Sequence, residues 1–306
     1  MKSSRRNFLK NTGLAGAGMV FNSGINENLN KPEFGLNKDF TLTICATNWG
    51  FSGDVNSFCK KSKDEGYDGV EIWAPFEKKA QDDFFNAIEK NDLKFGFLAG
   101  SWGKNFQEHF DNFQKAIENA ITLKPLFINC HSGKDFFTFE QSKRIFDYSI
   151  KQSKEAGIPI LHETHRGRIL FAAHTSKEFL EKLPELRLTL DISHWCVVAE
   201  SLLQNQKEVV QMALNRTDHI HSRVGFEEGP QVPEPRAPEF KKAVDAHFDW
   251  WDQVVKLKSD AGKHLTMTTE FGPPNYMWSL PYTKQPLANL WDVNASMMRM
   301  WKERYQ

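Results

Sequence analysis

The sequence predicts an α/β protein: a single (β/α)8 TIM barrel with a long proline-rich loop after its seventh strand. Short apolar, β-branched runs alternate with longer helical patterns, which is the order of a parallel sheet built from βαβ units. Eight such runs occur, the number that this closed barrel needs. The chain has 306 residues, which suits one barrel of roughly 250 residues.

The eight apolar runs are the predicted strands: Phe40–Ala46, Gly69–Trp73, Lys94–Leu98, Leu126–Cys130, Ile158–Glu163, Arg187–Asp191, His219–Val224 and His264–Glu270. Helices are predicted between and after them, at Asp54–Glu65, Asn105–Leu123, Phe139–Ala156, Glu239–Ala261 and about Leu287–Arg304. Three of these helical patterns are closed by a glycine, the residue that most easily adopts the left-handed conformation at a helix end. They are followed by Gly66, Gly157 and Gly262.

Residues 1–38 are expected to lie outside the barrel, which is assigned to residues 39–306. Arg5-Arg6 is followed by an apolar pair and then by the weakly hydrophobic run Gly13–Phe21, a pattern that resembles a twin-arginine export signal. The run is too short to span a bilayer permanently, so no stable membrane span is expected after export. Residues 22–38 are typical of a linker. The expected location is therefore the periplasm or the exterior.

Charge and cysteine usage exclude several classes of function. Lys and Arg together number 39, as do Asp and Glu, so nothing favours binding to nucleic acid or to an anionic membrane. The four cysteines are far apart and form no CxxC pair, which argues against a zinc knuckle or a thioredoxin-type site. The oligomeric state is left open.

Four polar residues end the last four predicted strands: Glu163, Asp191, His221 and Glu270. In a barrel these strand ends are neighbours, so the four side chains are expected to converge. Three carboxylates cannot share a dry pocket without a compensating cation. Mixed oxygen and imidazole ligands therefore predict one divalent metal ion, with Mn²⁺ favoured and Mg²⁺, Co²⁺ or Zn²⁺ as alternatives.

Strand parity distinguishes the two histidines of the seventh strand. Alternate residues face the barrel interior, so His219 and His221 share a face. His221 is nearer the mouth and is the predicted metal ligand, whereas His219 is expected to lie deeper, in a hydrogen-bonded layer.

On these residues the sequence resembles the xylose isomerase-like TIM barrel superfamily, in its sugar phosphate isomerase/epimerase branch. The resemblance covers about residues 40–304. The family pattern places Glu after strand five, Asp after six with His three residues on, His after seven near an Arg, and Glu after eight. Here these positions are Glu163, Asp191 with His194, His221 with Arg223, and Glu270.

The resemblance implies a metal-dependent isomerase or epimerase whose catalytic residues are Glu163 and Glu270. One glutamate takes a proton next to a carbonyl and the other returns it on the opposite face. The main alternative is a lyase that eliminates across a 3-keto-glycoside in the same site, because an exported enzyme would seldom meet phosphorylated sugars. A non-catalytic sugar-binding barrel is a further alternative, and an endonuclease IV-like phosphodiesterase is disfavoured because that class needs more histidine ligands.

A small carbohydrate is the expected substrate. The predicted binding residues are His194, Arg223, His131, Arg166, Trp49 and Trp102. The alternatives are a salt bridge at the rim for Arg223, a capped turn histidine for His131, and a loop-seating ion pair for Arg166. Flat aromatic rings suit the apolar faces of sugars, and five tryptophans are expected at the mouth of the barrel. They are Trp49, Trp73, Trp102, Trp195 and Trp278.

The predicted loop Gly225–Pro238 contains four prolines and two glycines. Active sites of such barrels are built at the carboxyl ends of the strands, where this loop begins. We expect it to act as a lid or a wall for the substrate.

Overall fold

The computed structural model describes residue 32 and residues 34–306. In this range the sheet is a closed barrel of eight parallel strands in chain order, and β1 pairs with β8. The strands are β1 Thr41–Thr47, β2 Gly69–Trp73, β3 Lys94–Gly100, β4 Ile128–His131, β5 Ile160–Glu163, β6 Leu188–Leu190, β7 Thr217–His221 and β8 His264–Thr269. The predicted (β/α)8 barrel is confirmed.

The predicted strands are in the right places, and the largest shift is at β7. The sequence places its end at Val224, whereas the strand ends at His221. The N–H of Ser222 still bonds to the carbonyl of Thr268, but Arg223 then turns inward to contact Asp191. The strand therefore ends three residues before the apolar pattern does, at the residue before Ser222.

The helices are α1 Val55–Glu65, α2 Lys78–Asn91, α3 Phe106–Thr122, α4 Phe139–Ala156, α5 Ala173–Lys182, α6 Ser193–Val198, α7 Lys207–Arg216, α8 Lys241–Asp260 and α9 Leu290–Tyr305. A 3₁₀ turn, Pro238–Phe240, precedes α8. The sequence analysis does not assign α2, α5, α6 or α7. None of these four helices has a side-chain hydrogen bond at its N-cap, so the usual start signal is absent.

The barrel interior has a small apolar floor formed by Cys45, Phe127 and Leu161, separate from the larger core between sheet and helices. Gly96 makes room for Phe127, because a Cβ at this glycine would lie 2.2 Å from the ring. The ring of His219 stacks on Phe127 with centroids 4.1 Å apart. The polar ring of His219 therefore lies directly against this apolar cluster.

The chain between β7 and the 3₁₀ turn forms no helix or strand. Val232 is fully buried, and its N–H bonds to the carbonyl of Val224. The amide of Gln231 bonds to both the N–H and the carbonyl of Gly272, in the segment after β8. These contacts anchor the segment to its neighbour; its role as a lid or wall stays a prediction.

The predicted twin-arginine signal lies in residues 1–31, outside the described residues, so export stays a prediction. Of the linker, the backbone N–H of Asn37 donates to Ser259 on α8. Among the described residues, no helix combines the length and the apolar character that crossing a membrane requires.

Candidate functional site

The four predicted ligands meet at the carboxyl ends of β5 to β8. Glu163 and His221 are the last residues of β5 and β7, and Asp191 and Glu270 directly follow β6 and β8. One ligating atom from each side chain lies within 4.8 Å of the other three. All four residues are at most 5% exposed. This convergence is the one that the strand ends predict; metal binding itself stays a prediction.

The ligating atoms inside this cluster lie close to one another. His221 Nδ1 lies 2.9 Å from Glu270 Oε2 and 3.7 Å from Glu163 Oε2, but it has no hydrogen-bond partner among the described residues. Glu163 Oε1 is also buried and unpartnered. Buried ring nitrogen and carboxylate oxygen atoms that lie close together without hydrogen-bond partners are the arrangement expected of atoms that bind a common ion.

Glu71 on β2 is a site residue that sequence reasoning missed. It is fully buried, and its Oε2 accepts hydrogen bonds from His221 Nε2 at 3.0 Å and from the Thr268 hydroxyl. This bond assigns the proton of His221 to Nε2 and leaves the lone pair on Nδ1, facing the other carboxylates. A glutamate in the middle of the apolar run Val70-Glu71-Ile72 was the available signal.

His219 lies one layer deeper than His221, as strand parity predicts. Its Nδ1 contacts the Thr266 hydroxyl at 2.7 Å, and its Nε2 lies 3.2 Å from Glu71 Oε2. Although burial alone would raise the pKa of Glu71, the imidazoles of His221 and His219 hold that pKa well below its usual range. Glu71 is therefore a carboxylate, and it orients both histidines.

Arg223 contacts the two remaining predicted ligands, Asp191 and Glu270. Its guanidinium donates to Asp191, to the carbonyl of Glu270 at 3.2 Å and to His194 Nε2 at 2.8 Å. Ser193 donates to the other oxygen of Asp191. The structure thus places Arg223 and His194 deep in the site. The salt bridge of Arg223 is fully buried rather than at the rim, and the binding of substrate by either residue stays a prediction.

The charges of the site call for a further cation. Four buried carboxylates, from Glu71, Glu163, Asp191 and Glu270, surround one buried guanidinium. Burial raises the pKa of Asp191 to about 6 against the opposing effect of Arg223, with Glu163 and Glu270 contributing to the rise. Such a concentration of negative charge in a dry site is costly unless a cation compensates it.

The surrounding carboxylates also act on the pKa of His221. Burial alone would lower it, but the carboxylates of Glu270, Glu71 and Glu163 hold the pKa of His221 well above its usual value. The negative charge of these three carboxylates is thus concentrated around His221.

Three histidines form a row from β4 to α6. His131 and His165 have ring centroids 5.0 Å apart, and His165 and His194 have centroids 3.9 Å apart. His131 Nε2 lies 2.8 Å from Glu163 Oε2, so His131 reaches the site as predicted. The sequence analysis assigns no role to His165.

Tyr276, which sequence reasoning also missed, lies over the site from the segment after β8. The guanidinium of Arg223 is 4.8 Å from its ring centroid, and that of Arg166, an exposed residue, is 5.0 Å away on the same ring. Trp49 packs edge-on against Tyr276 with centroids 4.9 Å apart. Arg166 and Trp49 are therefore linked to the site through Tyr276.

The predicted aromatic rim is partly wrong. Trp195 is fully buried, and its indole N–H donates to the carbonyl of Leu170. Trp195 lies on the short helix α6, which directs its side chain into the core. The sequence analysis did not assign this helix, so it placed Trp195 at the rim. The other four tryptophans are between 37% and 59% exposed, among them Trp49 and Trp102.

Comparisons with known proteins agree with the fold. A model of the xylose isomerase-like TIM barrel family matches residues 59–247. No curated protein sequence matches the chain.

Three solved structures illustrate the likeness. The 3-keto-D-glucoside 4-epimerase from E. coli has a TM-score of 0.57 and 11% identity, covering 86% of this chain and 100% of that chain. The D-allulose 3-epimerase from Methylomonas sp. has a TM-score of 0.58 and 15% identity, covering 89% and 99%. A probable 3-DHS dehydratase from Bacillus anthracis has a TM-score of 0.53 and 13% identity, covering 86% and 100%. Identities this low show a shared fold.

Proposed function

The chain belongs to the xylose isomerase-like TIM barrel family, and we propose that it is a divalent-metal-dependent sugar epimerase or isomerase. It would move a proton at a carbon next to a carbonyl of a small carbohydrate. The observation that carries the proposal is the buried convergence of Glu163, Asp191, His221 and Glu270 within 4.8 Å. Sugar epimerases among the structural neighbours support the substrate class.

The donor set fits a hard or borderline ion. Glu163, Asp191 and Glu270 offer carboxylate oxygens, and His221 offers Nδ1 because its Nε2 proton is bonded to Glu71. Such mixed ligands suit Mn²⁺, with Mg²⁺, Co²⁺ and Zn²⁺ as alternatives. When bound, the ion would act as a Lewis acid on the substrate carbonyl and hold the adjacent oxygens.

Glu163 and Glu270 are the groups that would transfer the proton. They stand at the ends of β5 and β8, so they reach the centre of the mouth from different strands. Burial would raise the pKa of Glu163, but His131 and His221 hold it well below its usual range, which keeps this glutamate ionised and able to accept a proton. Its Oε1 has no competing hydrogen bond within the described residues.

The destination of the proton decides the reaction. Return to the same carbon from the opposite face, by the second glutamate, gives epimerisation. Return to the neighbouring carbon gives aldose–ketose isomerisation. The aromatic rings of Tyr276 and Trp49 beside the ligands would pack on the apolar face of a sugar.

A lyase that eliminates across a 3-keto-glycoside is the second candidate. Elimination needs an acid that protonates the leaving oxygen in addition to the base that removes the proton. His131, whose Nε2 lies 2.8 Å from Glu163 Oε2, would be placed to supply that acid. A 3-keto-glycoside also combines an acidic proton with a β-leaving group.

The proposal is tested by a substrate panel in deuterated water. Protein loaded with Mn²⁺ is mixed with free ketoses, aldoses and 3-keto-glycosides, and the same protein stripped by a chelator is the control. We expect deuterium in the product only with metal. Deuterium at the original carbon with inversion indicates an epimerase, deuterium at the neighbouring carbon an isomerase, and release of the aglycone a lyase. Binding of sugars without any metal-dependent exchange would instead indicate a non-catalytic barrel.

A further inference from the structure

The loop after β5 carries two arginines that form no ion pair within residues 34–306. Arg166 and Arg168 lie on either side of Gly167, shortly after Glu163 at the end of β5. Among the described residues the guanidinium of Arg166 contacts an aromatic ring, and that of Arg168 has no carboxylate within ion-pair distance. The ion pair that would seat this loop, the alternative role for Arg166, is therefore not observed.

Arg168 is the more informative of the two because it is half-buried. Its backbone N–H donates to the carbonyl of His165 at 3.1 Å, but its guanidinium donates to no atom of the described residues. Burial lowers the pKa of Arg168, and the charges of Glu163 and Tyr276 oppose that change without a hydrogen bond. A guanidinium has five donors and is seldom withdrawn from water unless they are used. The donors of Arg168 are therefore available to a ligand.

Arg166 lies beside the candidate site. Its guanidinium is 5.0 Å from the ring centroid of Tyr276, the same ring that Arg223 approaches to 4.8 Å. Burial lowers the pKa of His194, and the positive charges of its neighbours, Arg166 among them, lower it further. Arg223 is neutralised by Asp191, whereas Arg166 adds a positive charge without a counter-charge among the described residues.

Lys134, in the loop after β4, is a third cation that forms no ion pair in the described part of the chain. Lys134 and Arg168 lie on the same side of the mouth, since both act on the buried ring of His109. Burial lowers the pKa of His109, and these two charges lower it further. The β4–β5 side of the mouth therefore combines a half-buried guanidinium with two further positive charges. This arrangement is typical of a site for an anionic group.

The segment after β8 favours a carboxylate over a phosphate as that anion. Phosphate sites of TIM barrels are frequently built from backbone N–H groups after the seventh and eighth strands. Here the N–H of Gly272 already donates to Gln231, and the next two residues, Pro273 and Pro274, have no N–H to offer. The planar fork of a guanidinium instead matches the two oxygens of a carboxylate.

We propose that Arg168, with Arg166 and Lys134 beside it, binds a carboxylate of the substrate, so that the substrate is a sugar acid rather than a neutral sugar. The carboxylates of the four-residue cluster would hold the metal at one end of the substrate, and these cations would hold the acid group at the other. This assignment rests on the proposed function, because it places the anion on the substrate of that site.

Acid and neutral sugars that differ at one carbon are the probes for the test. The full chain loaded with Mn²⁺ is titrated calorimetrically with D-glucuronate and D-glucose, and with D-galacturonate and D-galactose. We expect at least one acid to bind about tenfold more tightly than its neutral partner, the contribution of one charge-assisted hydrogen bond. Equal affinities within both pairs would overturn the proposal.

Arg168→Gln separates the arginine from the metal as the group that binds the carboxylate. It should abolish most of the preference for the acid and leave the affinity for the neutral sugar unchanged. Arg166→Gln should reduce the preference less, because solvent and salt screen an exposed charge. A preference that persists in Arg168→Gln would mean that another group binds the carboxylate, and it would overturn the proposal.

Arg216→Gln is the matched control. Arg216 is also half-buried and forms no ion pair among the described residues, but it ends α7 just before β7 begins, at the opposite end of the barrel from the mouth. Its substitution should change neither affinity. If circular dichroism shows that Arg168→Gln does not fold, Arg168→Lys and Arg166→Gln take its place. At least one of them should narrow the difference between acid and neutral sugar, and an unchanged difference in both contradicts the proposal.

D-glucose 6-phosphate distinguishes a carboxylate site from a phosphate site. We expect it to bind no more tightly than D-glucuronate, and tighter binding that is lost in Arg168→Gln would overturn the choice of carboxylate. Metal-dependent deuterium exchange on neutral sugars, with no preference for acids, would overturn this inference and leave the proposed function standing. A preference for acids that is lost in Arg168→Gln, without exchange on any substrate, would support the carboxylate site and overturn the proposed function.

Discussion

Glu163→Gln and Glu270→Gln are each expected to lower turnover by about 10²–10⁴-fold, the range that a positioned acid–base group contributes. Glutamine keeps the shape of the side chain but cannot accept a proton. Both residues are almost fully buried, so water has little access to replace the lost base. The measurement is steady-state turnover on the substrate identified by the panel, with metal content determined on the same samples.

Glu239→Gln is the control for these variants, because Glu239 is an exposed glutamate on the 3₁₀ turn before α8. Its turnover should equal that of the wild type. If Glu163→Gln or Glu270→Gln retains metal and near-normal turnover, that glutamate is a ligand and takes no part in proton transfer.

Glu71→Gln is expected to weaken metal binding by about 10–100-fold, although Glu71 is not among the four predicted ligands. The carboxylate of Glu71 accepts the Nε2 proton of His221 and so holds Nδ1 toward the metal. An amide can accept the same proton but carries no charge, so it makes the imidazole a weaker donor and also leaves its own N–H₂ group buried beside Thr268 and His219. Isothermal titration with Mn²⁺ measures the change.

Glu89→Gln, on the exposed face of α2, is the matched control and should not change the affinity. An unchanged affinity in Glu71→Gln, with the protein folded, would mean that the orientation of His221 does not depend on this hydrogen bond. Circular dichroism would detect a loss of folding. In that case Glu71→Asp serves as the test variant, because it keeps the negative charge and moves it away from His221.

The fold and the four-residue cluster could be predicted from the sequence because both follow from local patterns. Buried parallel strands are short apolar runs, and a polar residue at the end of such a run is conspicuous. Glu163, Asp191, His221 and Glu270 each occupy such an end. Once the barrel is closed in chain order, the ends of β5 to β8 must be neighbours, so the sequence predicts their convergence without any coordinate.

The missed residues depend on contacts between distant parts of the chain. Glu71 contacts His221 across the barrel, 150 positions away in the sequence. No local sequence pattern predicts a contact between residues so far apart. Tyr276 lies in an irregular segment, whose path no periodic pattern predicts. Trp195 looked like a rim residue because it follows a strand, but the first turn of α6 directs it into the core.

Arg223 shows how packing changes an expected role. The sequence places it near His221 at the mouth, where a guanidinium would meet substrate or the rim. The structure instead buries it between Asp191, His194 and the carbonyl of Glu270. A free arginine in such a dry site would be costly, and the excess of carboxylates supplies the partners that make its burial tolerable.

The location of the metal is the claim on which the account depends, and anomalous diffraction from a crystal soaked in Mn²⁺ tests it most directly. The account predicts a peak at the point surrounded by the carboxylates of Glu163, Asp191 and Glu270 and by His221 Nδ1, with Glu71 still bonded to His221 Nε2. A map with no peak at that point, or with these four side chains turned away from one another, would contradict it.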